Sequence, residues 1–364
     1  MFEERAYQTN AAAWLASRRR GIVQIPAGGG KSRVAAMALD MVIRKRNRTK
    51  KVKIGWLAPT IETRNQGIEA MKQFPIIAEH DVKASCIHVG VNFRDRDILI
   101  VDECKHATAP VWFNIVNQCE NRWGLDATPF FNDEERDNAL LRLFDNQIHT
   151  VDRSVLQDKL SSATVRLLDA TDTGLREIID ADITKTMAWR RRYWKGNEEA
   201  LWGQVAWLSV VNHGIVANHA RNRAAIDAAL SHWEPTLILV NQVEHAIWFA
   251  EQLPNAVACY AAMGKKKRAQ AMEDFHAGRV QRIVATALAD EGWDAPTAAV
   301  LVLVSAGKSE TKVVQRTGRV LRRCEGKDGA IIYDFADRFH PLAAKHSRRR
   351  VEIYQSLKYH VTHL

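Results

Sequence analysis

Short runs of β-branched and apolar residues alternate along this chain with longer stretches in which apolar residues recur at helical spacing. That alternation predicts an α/β fold with parallel strands, because each helix then crosses one face of a sheet to reach the next strand. Gly21-Ile22-Val23-Gln24-Ile25 predicts a buried strand running into a glycine-rich turn. Residues 32–44 follow as a helix, with Val34, Met37, Ala38, Met41 and Val42 at helical spacing. Residues 52–57 and 98–101 predict two further strands. Both end beside polar residues, at the carboxyl end where parallel sheets carry their sites.

From about Asp152 the pattern changes. Residues 174–232 hold no strand-like run but many helix formers, with Trp189, Trp194, Trp202 and Trp207 among them. This stretch predicts a helical connector. A second α/β series then begins, with strands expected at 237–240, 282–285, 300–304 and 330–333. From Pro341 the chain predicts a basic helix carrying Ser347-Arg348-Arg349-Arg350. The organisation expected is an N-terminal α/β domain over 1–160, a mainly helical connector over 161–234 and a second α/β domain over 235–364.

Composition narrows the class. A chain of 364 residues is long enough for two domains with cores of their own. Its 52 Lys and Arg against 42 Asp and Glu leave a surplus of +10, which favours a polyanionic partner. The five cysteines are scattered, with no pair at zinc spacing, so they read as reduced thiols. The first residues lack an apolar signal core, and no uncharged run approaches membrane-spanning length. The expectation is a soluble, cytoplasmic protein with no membrane contact.

The chemistry lies where strands end. Pro26-Ala27-Gly28-Gly29-Gly30-Lys31-Ser32 places three glycines before a Lys-Ser pair that opens a helix. Gly28, Gly29 and Gly30 let backbone N–H groups face phosphate oxygens, and the helix N-terminus adds its dipole. Lys31 would reach the outer phosphates and Ser32 would hold Mg²⁺. The first glycine of the general phosphate-loop pattern is replaced by Ile25, so on this loop alone an incidental glycine-rich turn stays open. Ile98-Leu99-Ile100-Val101-Asp102-Glu103 adds a strand ending in two carboxylates. Asp102 would hold Mg²⁺ through water, and Glu103 would orient and activate the attacking water.

With these segments in view, the chain resembles the DEAD/DEAH-box helicases of superfamily 2. Asp102-Glu103-Cys104-Lys105-His106 is similar to their acidic box, Gly124-Leu125-Asp126-Ala127-Thr128-Pro129 to motif III, and Leu57-Ala58-Pro59-Thr60 to motif Ia. Arg5-Ala6-Tyr7-Gln8 resembles the element that recognises adenine. Residues 284–296 resemble motif V, and Gln315-Arg316-Thr317-Gly318-Arg319-Val320-Leu321-Arg322 resembles motif VI. The segments follow the family's order over roughly residues 5–335, and the branch most resembled is that of restriction-enzyme motors and XPB/UvsW-like proteins.

The resemblance implies two tandem RecA-like domains that close on one ATP. Arg5, Tyr7, Gln8 and Asp294 would contact the nucleotide. Gln315, Arg319 and Arg322 would meet the γ-phosphate, the last two as arginine fingers sharing one helical face. Thr60, Arg64, Asn241 and Thr286 would contact nucleic acid. Lys105, His106, Asp126 and Thr128 would couple hydrolysis to movement, although Lys105 stands where the family has His, and Asp126 where motif III has Ser or Thr.

The implied function is an ATP- and Mg²⁺-dependent helicase or translocase on single-stranded, forked or branched DNA, compact enough to work through a recruiting protein. A double-strand translocase without strand separation, an RNA helicase, and a nucleic-acid-binding protein with an inactive ATPase are the alternatives. Arg190-Arg191-Arg192-Tyr193-Trp194-Lys195, Lys265-Lys266-Lys267-Arg268 and Arg348 to Arg350 read equally as solvated basic surface or as parts of the track.

Overall fold

The computed structural model describes residues 5–26, 28–45, 50–87, 92–131, 133–156, 162–170, 174–286, 295–305, 307–321, 324, 327 and 329–363. The chain divides into two compact units, Met1–Asp158 and Lys159–Leu364.

The first unit holds six strands: β1 (Arg20–Gln24), β2 (Lys53–Ala58), β3 (Asp81–Cys86), β4 (Ile98–Asp102), β5 (Arg122–Asp126) and β6 (Ile148–Thr150). Its helices are α1 (Ala6–Ala16), α2 (Lys31–Lys45), α3 (Ile61–Lys72), α4 (Pro75–Ala78), α5 (Pro110–Val116) and α6 (Glu134–Leu143). The strands form one sheet in the order β3-β2-β4-β5-β1-β6, and every pairing is parallel. Burial on both faces explains the unbroken apolar strands. Val23, Ile54, Trp56, Ile98, Ile100 and Leu125 enter one core with α1, α2 and α3. Their neighbours Ile22, Leu57, Leu99 and Val101 enter the other with Trp112, Leu140 and Phe144. A Cβ at Gly67 would lie 2.2 Å from the Trp56 ring, so glycine lets α3 seat on β2.

The second unit holds β7 (Ser162–Leu168), β8 (Thr236–Leu239), β9 (Ala256–Cys259), β10 (Arg282–Ala285), β11 (Val300–Leu303), β12 (Gly329–Phe335) and β13 (His360–His363). Its helices are α7 (Leu175–Arg190), α8 (Glu198–Ser209), α9 (His219–Leu230), α10 (Val243–Gln252), α11 (Lys265–His276), α12 (Glu310–Val320) and α13 (Pro341–Ser356). The sheet runs β13-β7-β12-β11-β8-β10-β9, again all parallel.

The stretch expected as a connector, 161–234, is packed into this second unit. Its first segment, β7, lies between β12 and β13, with Val165 and Leu167 buried. Ile179, Leu201, Val205 and Ala225 of α7, α8 and α9 share one core with Ile238, Val302 and Phe335 of the sheet. An amphipathic helix hides its apolar stripe against whatever sheet face is uncovered, and here that face belongs to the second unit.

Buried charge braces the same unit. Arg350 Nε and Nη2 donate to Asp334 at 2.8 and 3.0 Å, and Nη2 also reaches Asp337 at 3.3 Å. Arg350 Nη1 donates to the Gly307 carbonyl at 3.0 Å, while Tyr354 Oη donates to Asp334 at 2.7 Å. Asp337 pairs in turn with the wholly buried Arg221 at 2.9 Å. Arg350 therefore stands apart from the basic patch in which the sequence groups it. Arg349 is engaged too, by Glu310 and Glu352.

Two buried histidines set an acid limit on stability. Burial, aided by Arg221, holds His245 down to about 4. Burial with Lys308, Arg350 and Lys345 does the same to His346, also to about 4. The unfolded chain takes up these protons near pH ~6.5, the folded chain only near 4, so between those values the unfolded state binds more protons. Stability should hold steady above about pH 7 and fall as pH drops towards 4, by up to ~1.4 kcal/mol per pH unit for each histidine. Urea unfolding across that window measures the slope, and replacing both histidines by Gln should flatten it. In the same assay, Arg350→Ala should cost about 3–5 kcal/mol, because it leaves the buried Asp334 carboxylate without its cation.

Candidate active site

Parallel order brings the carboxyl ends of β1, β5 and β4 side by side, and each delivers a charged residue or loop to the same place. From β1 the chain turns through Gly28 and Gly30 at φ of 82° and 83°, a region glycine enters without strain. Lys31 then begins α2. From β4 come Asp102, 4% exposed, and Glu103, whose own backbone is left-handed at φ 50°. From β5 comes Asp126, fully buried.

These groups form one electrostatic cluster. Lys31 Nζ lies 3.1 Å from Glu103 Oε1, and Lys105 Nζ lies 3.7 Å from Glu103 Oε2, so two cations bracket one carboxylate. Asp126 Oδ2 accepts from the Lys105 backbone N–H at 3.1 Å and Oδ1 from that of Thr128 at 2.9 Å. Asp126 thus ties the acidic box to the segment after β5 through backbone bonds, which a shorter Ser or Thr would have to span differently. Burial would raise Glu103, but Lys31 and Lys105 outweigh it and hold its carboxyl below the usual range. Asp102 goes the other way: burial, with Glu103 and Asp126 nearby, pushes it up to about 7 against the pull of Lys31. Asp126 is raised by burial and by Glu103. Lys31 is held firmly protonated, because Glu103, Asp102 and Asp126 together outweigh its burial.

The N-terminal candidates reach the same loop. Gln8 Nε2 and Tyr7 Oη both donate to the Gly29 carbonyl, at 3.0 and 2.9 Å, and Arg5 Nη1 donates to Tyr7 Oη at 3.0 Å. A Cβ at Gly30 would sit 2.5 Å from Gln8 Nε2. The resemblance implies base recognition by Gln8; its bond to the Gly29 carbonyl is visible only in three dimensions.

The residues fit a magnesium ion. Ser32 and Asp102 offer hard oxygen donors, and a buried carboxyl raised to about 7 is one whose ionised form a divalent cation would favour. Among the described residues no three His, Cys, Asp or Glu side chains form a metal cage. Magnesium is commonly held by one or two carboxylates together with waters and the phosphates of its substrate.

The remaining predicted residues sit on other segments of the two units. His106 is exposed, 5.7 Å from the Trp112 ring. Thr60 caps α3 by accepting from the Thr63 N–H at 3.2 Å, and Arg64 donates to Asn65 at 2.9 Å. Asn241 follows β8, and Thr286 follows β10 with its N–H on the Cys259 carbonyl. Gln315 and Arg319 lie on α12, with Arg319 8% exposed. Asp294 and Arg322 fall outside the described residues. Among the basic runs, Arg190 closes α7, Arg191 pairs with Glu198, and Lys265, Lys266 and Lys267 are exposed at the start of α11. No helix among the described residues is long and apolar enough to cross a membrane.

The chain is similar to known proteins in sequence and in fold. The helicase conserved C-terminal domain matches residues 221–324. A protein described as helicase 22 of Sulfolobus islandicus filamentous virus (isolate Iceland/Hveragerdi) is 23% identical over 394 residues, covering 98% of this chain and 68% of the viral protein. The DNA 3'-5' translocase XPB2 of Sulfurisphaera tokodaii is 22% identical over 375 residues, covering 91% and 81%. Among solved structures, the ATP-dependent Type ISP restriction-modification enzyme LlaBIII bound to DNA superposes on 100% of this chain with a TM-score of 0.68 at 13% identity. The chain spans 31% of that enzyme's length. A variant of S. cerevisiae Dbp5 bound to a Gle1 variant and IP6 shares the fold over 99% of this chain and 88% of its own, with a TM-score of 0.58 at 13% identity. The chain is thus similar to helicases of superfamily 2 and shares their fold of two RecA-like α/β units.

Two substitutions test the local geometry. Asp126→Ala should destabilise the chain by about 1–3 kcal/mol, because it leaves two backbone N–H groups without an acceptor; Asp126→Asn, which keeps one oxygen, should cost less. Denaturant unfolding measures both. Gly30→Ala should displace Gln8 and strain the loop at φ 83°, weakening binding of a fluorescent ATP analogue at least ~10-fold while leaving the melting temperature within a few degrees.

Proposed function

We propose that the chain is an ATP-dependent DNA helicase or translocase working in the cytoplasm. The observation that carries this reading is the convergence of Lys31, Asp102, Glu103 and Asp126 on one phosphate loop. Binding is then an exchange of partners. Phosphate oxygens take Lys31 from Glu103, and Glu103, still beside Lys105, is released to orient a water molecule. The loop N–H groups and the α2 N-terminus bind phosphate, and Ser32 and Asp102 would hold Mg²⁺. Bound there, the ion would neutralise charge developing on the phosphates.

The reading assigns the γ-phosphate contacts of the second unit to Gln315, Arg319 and Arg322, and a further nucleotide contact to Asp294. ATP would be hydrolysed between the two units, so that loss of the γ-phosphate lets them part. Thr60, Arg64, Asn241 and Thr286 are its candidates for the nucleic-acid backbone. DNA is favoured over RNA because one relative is named a DNA translocase and one structural neighbour is bound to DNA. A forked or branched substrate and a recruiting protein belong to the same proposal.

The likeness to a named translocase supports a second reading, movement along duplex DNA without strand separation. Strand displacement measured beside triplex displacement separates the two, since activity in the triplex assay alone removes the helicase label. The motor reading itself is tested by ATPase activity titrated with single-stranded, duplex and forked DNA and with RNA. Stimulation by DNA is expected. Glu103→Gln should lower turnover by ~10³-fold or more while ATP binds as well or better, because Lys31 loses a competing partner. A chain whose ATPase ignores every nucleic acid, and is unchanged by Glu103→Gln, is not this motor.

A further inference from the structure

The carboxyl ends of β8 and β11 are neighbours in the second sheet, and the chain leaves them in opposite directions. β8 leads towards β9 and β10 on one side, β11 towards β12 on the other. In open parallel sheets such a divergence leaves a crevice above the strand ends, where ligands bind. A groove of about 1120 Å³ opens here, lined by Asn241 and Gln242 after β8, Ser305 and Gly307 after β11, and side chains of α8, α12 and α13. It lies wholly within the second unit and is larger than a small metabolite requires.

Its chemistry is specific. Lys308, Lys312 and Lys345 line it and are exposed, against one lining carboxylate, Glu199. Lys308 and Lys345, from different elements, both act on the buried His346, so their charge converges on one part of the groove. Trp202 lines the groove with 47% of its surface exposed. The neighbouring Trp207 is already packed against His346, with ring centroids 4.3 Å apart. A half-exposed indole and several ammonium groups lining one groove match the two parts of an unpaired nucleotide, its base and its phosphate. A duplex buries its base faces, and the carboxylates of an acidic peptide offer the indole no aromatic face to stack on.

We propose that this groove holds a segment of single-stranded nucleic acid, with backbone phosphates at Lys308 and Lys345 and a base stacked on Trp202. None of these three residues belongs to a motif read in the sequence. The proposal rests on the nucleic-acid motor reading and extends the path beyond Asn241 onto α8 and α13.

The test uses the full chain and an iododeoxyuridine-substituted DNA single strand. Photocrosslinking of the unaltered protein, mapped by mass spectrometry, should place adducts at Trp202, with no variant needed. Trp202→Ala should weaken single-strand affinity at least ~5-fold, with less effect on a blunt duplex. Lys308→Ala and Lys345→Ala should each lower the slope of log affinity against log salt by about 0.7. Crosslinks confined to other residues, with all three variants binding as the parent does, overturn the groove and leave the motor reading standing. A parent protein that binds no single strand, and whose ATPase DNA does not stimulate, overturns both. Equal loss of single-strand and duplex affinity in Trp202→Ala overturns base stacking.

Discussion

The structure depends on keeping charge buried at the carboxyl edge of a parallel sheet. Lys31, Lys105, Asp102, Glu103 and Asp126 gather there with little water around them, and none would be stable alone. Each is tolerable because the others are present. Glu103 lies between two lysines, Lys31 answers to three carboxylates, and Asp126 spends its oxygens on backbone N–H groups. One carboxyl more than the lysines can neutralise leaves Asp102 disfavoured as an anion. Lys105 and Asp126 are departures from the resembled motifs taken singly. Together they are a charge-balanced pair on adjoining strand ends.

The second unit solves a different problem with the same means. Its loop after β11 and its C-terminal helix are held by Arg350, which binds Asp334, Asp337 and the Gly307 carbonyl. That bond fixes the backbone just before α12, the helix that carries Gln315 and Arg319. The position of the motif helix is therefore set from behind by residues outside every motif.

The strands at 98–101 and 282–285, and the helix after the glycine-rich loop, were legible from apolar runs and helical spacing of the right length. Local order alone also places Lys31 at the start of a helix and Asp102 and Glu103 at a strand end. The strand β7 was not legible. Thr164 and Arg166 interrupt its apolar residues, and it earns its place by pairing with β12 and β13, far along the chain. Likewise Arg348, Arg349 and Arg350 read as one basic run, whereas the fold buries Arg350 and leaves Arg348 exposed. Gln8 on Gly29, Lys105 on Glu103 and the groove beside Trp202 all join residues that no spacing rule connects.

Every strand pairing among the described residues is parallel, so no two neighbours can be zipped together by a tight hairpin. Each pairing waits for a crossover, and the widest wait belongs to β7, whose outer edge is covered only when Val361 comes to lie beside Val165. On a ribosome, that edge would stay open while the rest of the unit is made, presenting unpaired backbone to any other strand nearby. The second unit is thus a late-closing fold, and its vulnerable period is set by the position of β13 rather than by its final stability.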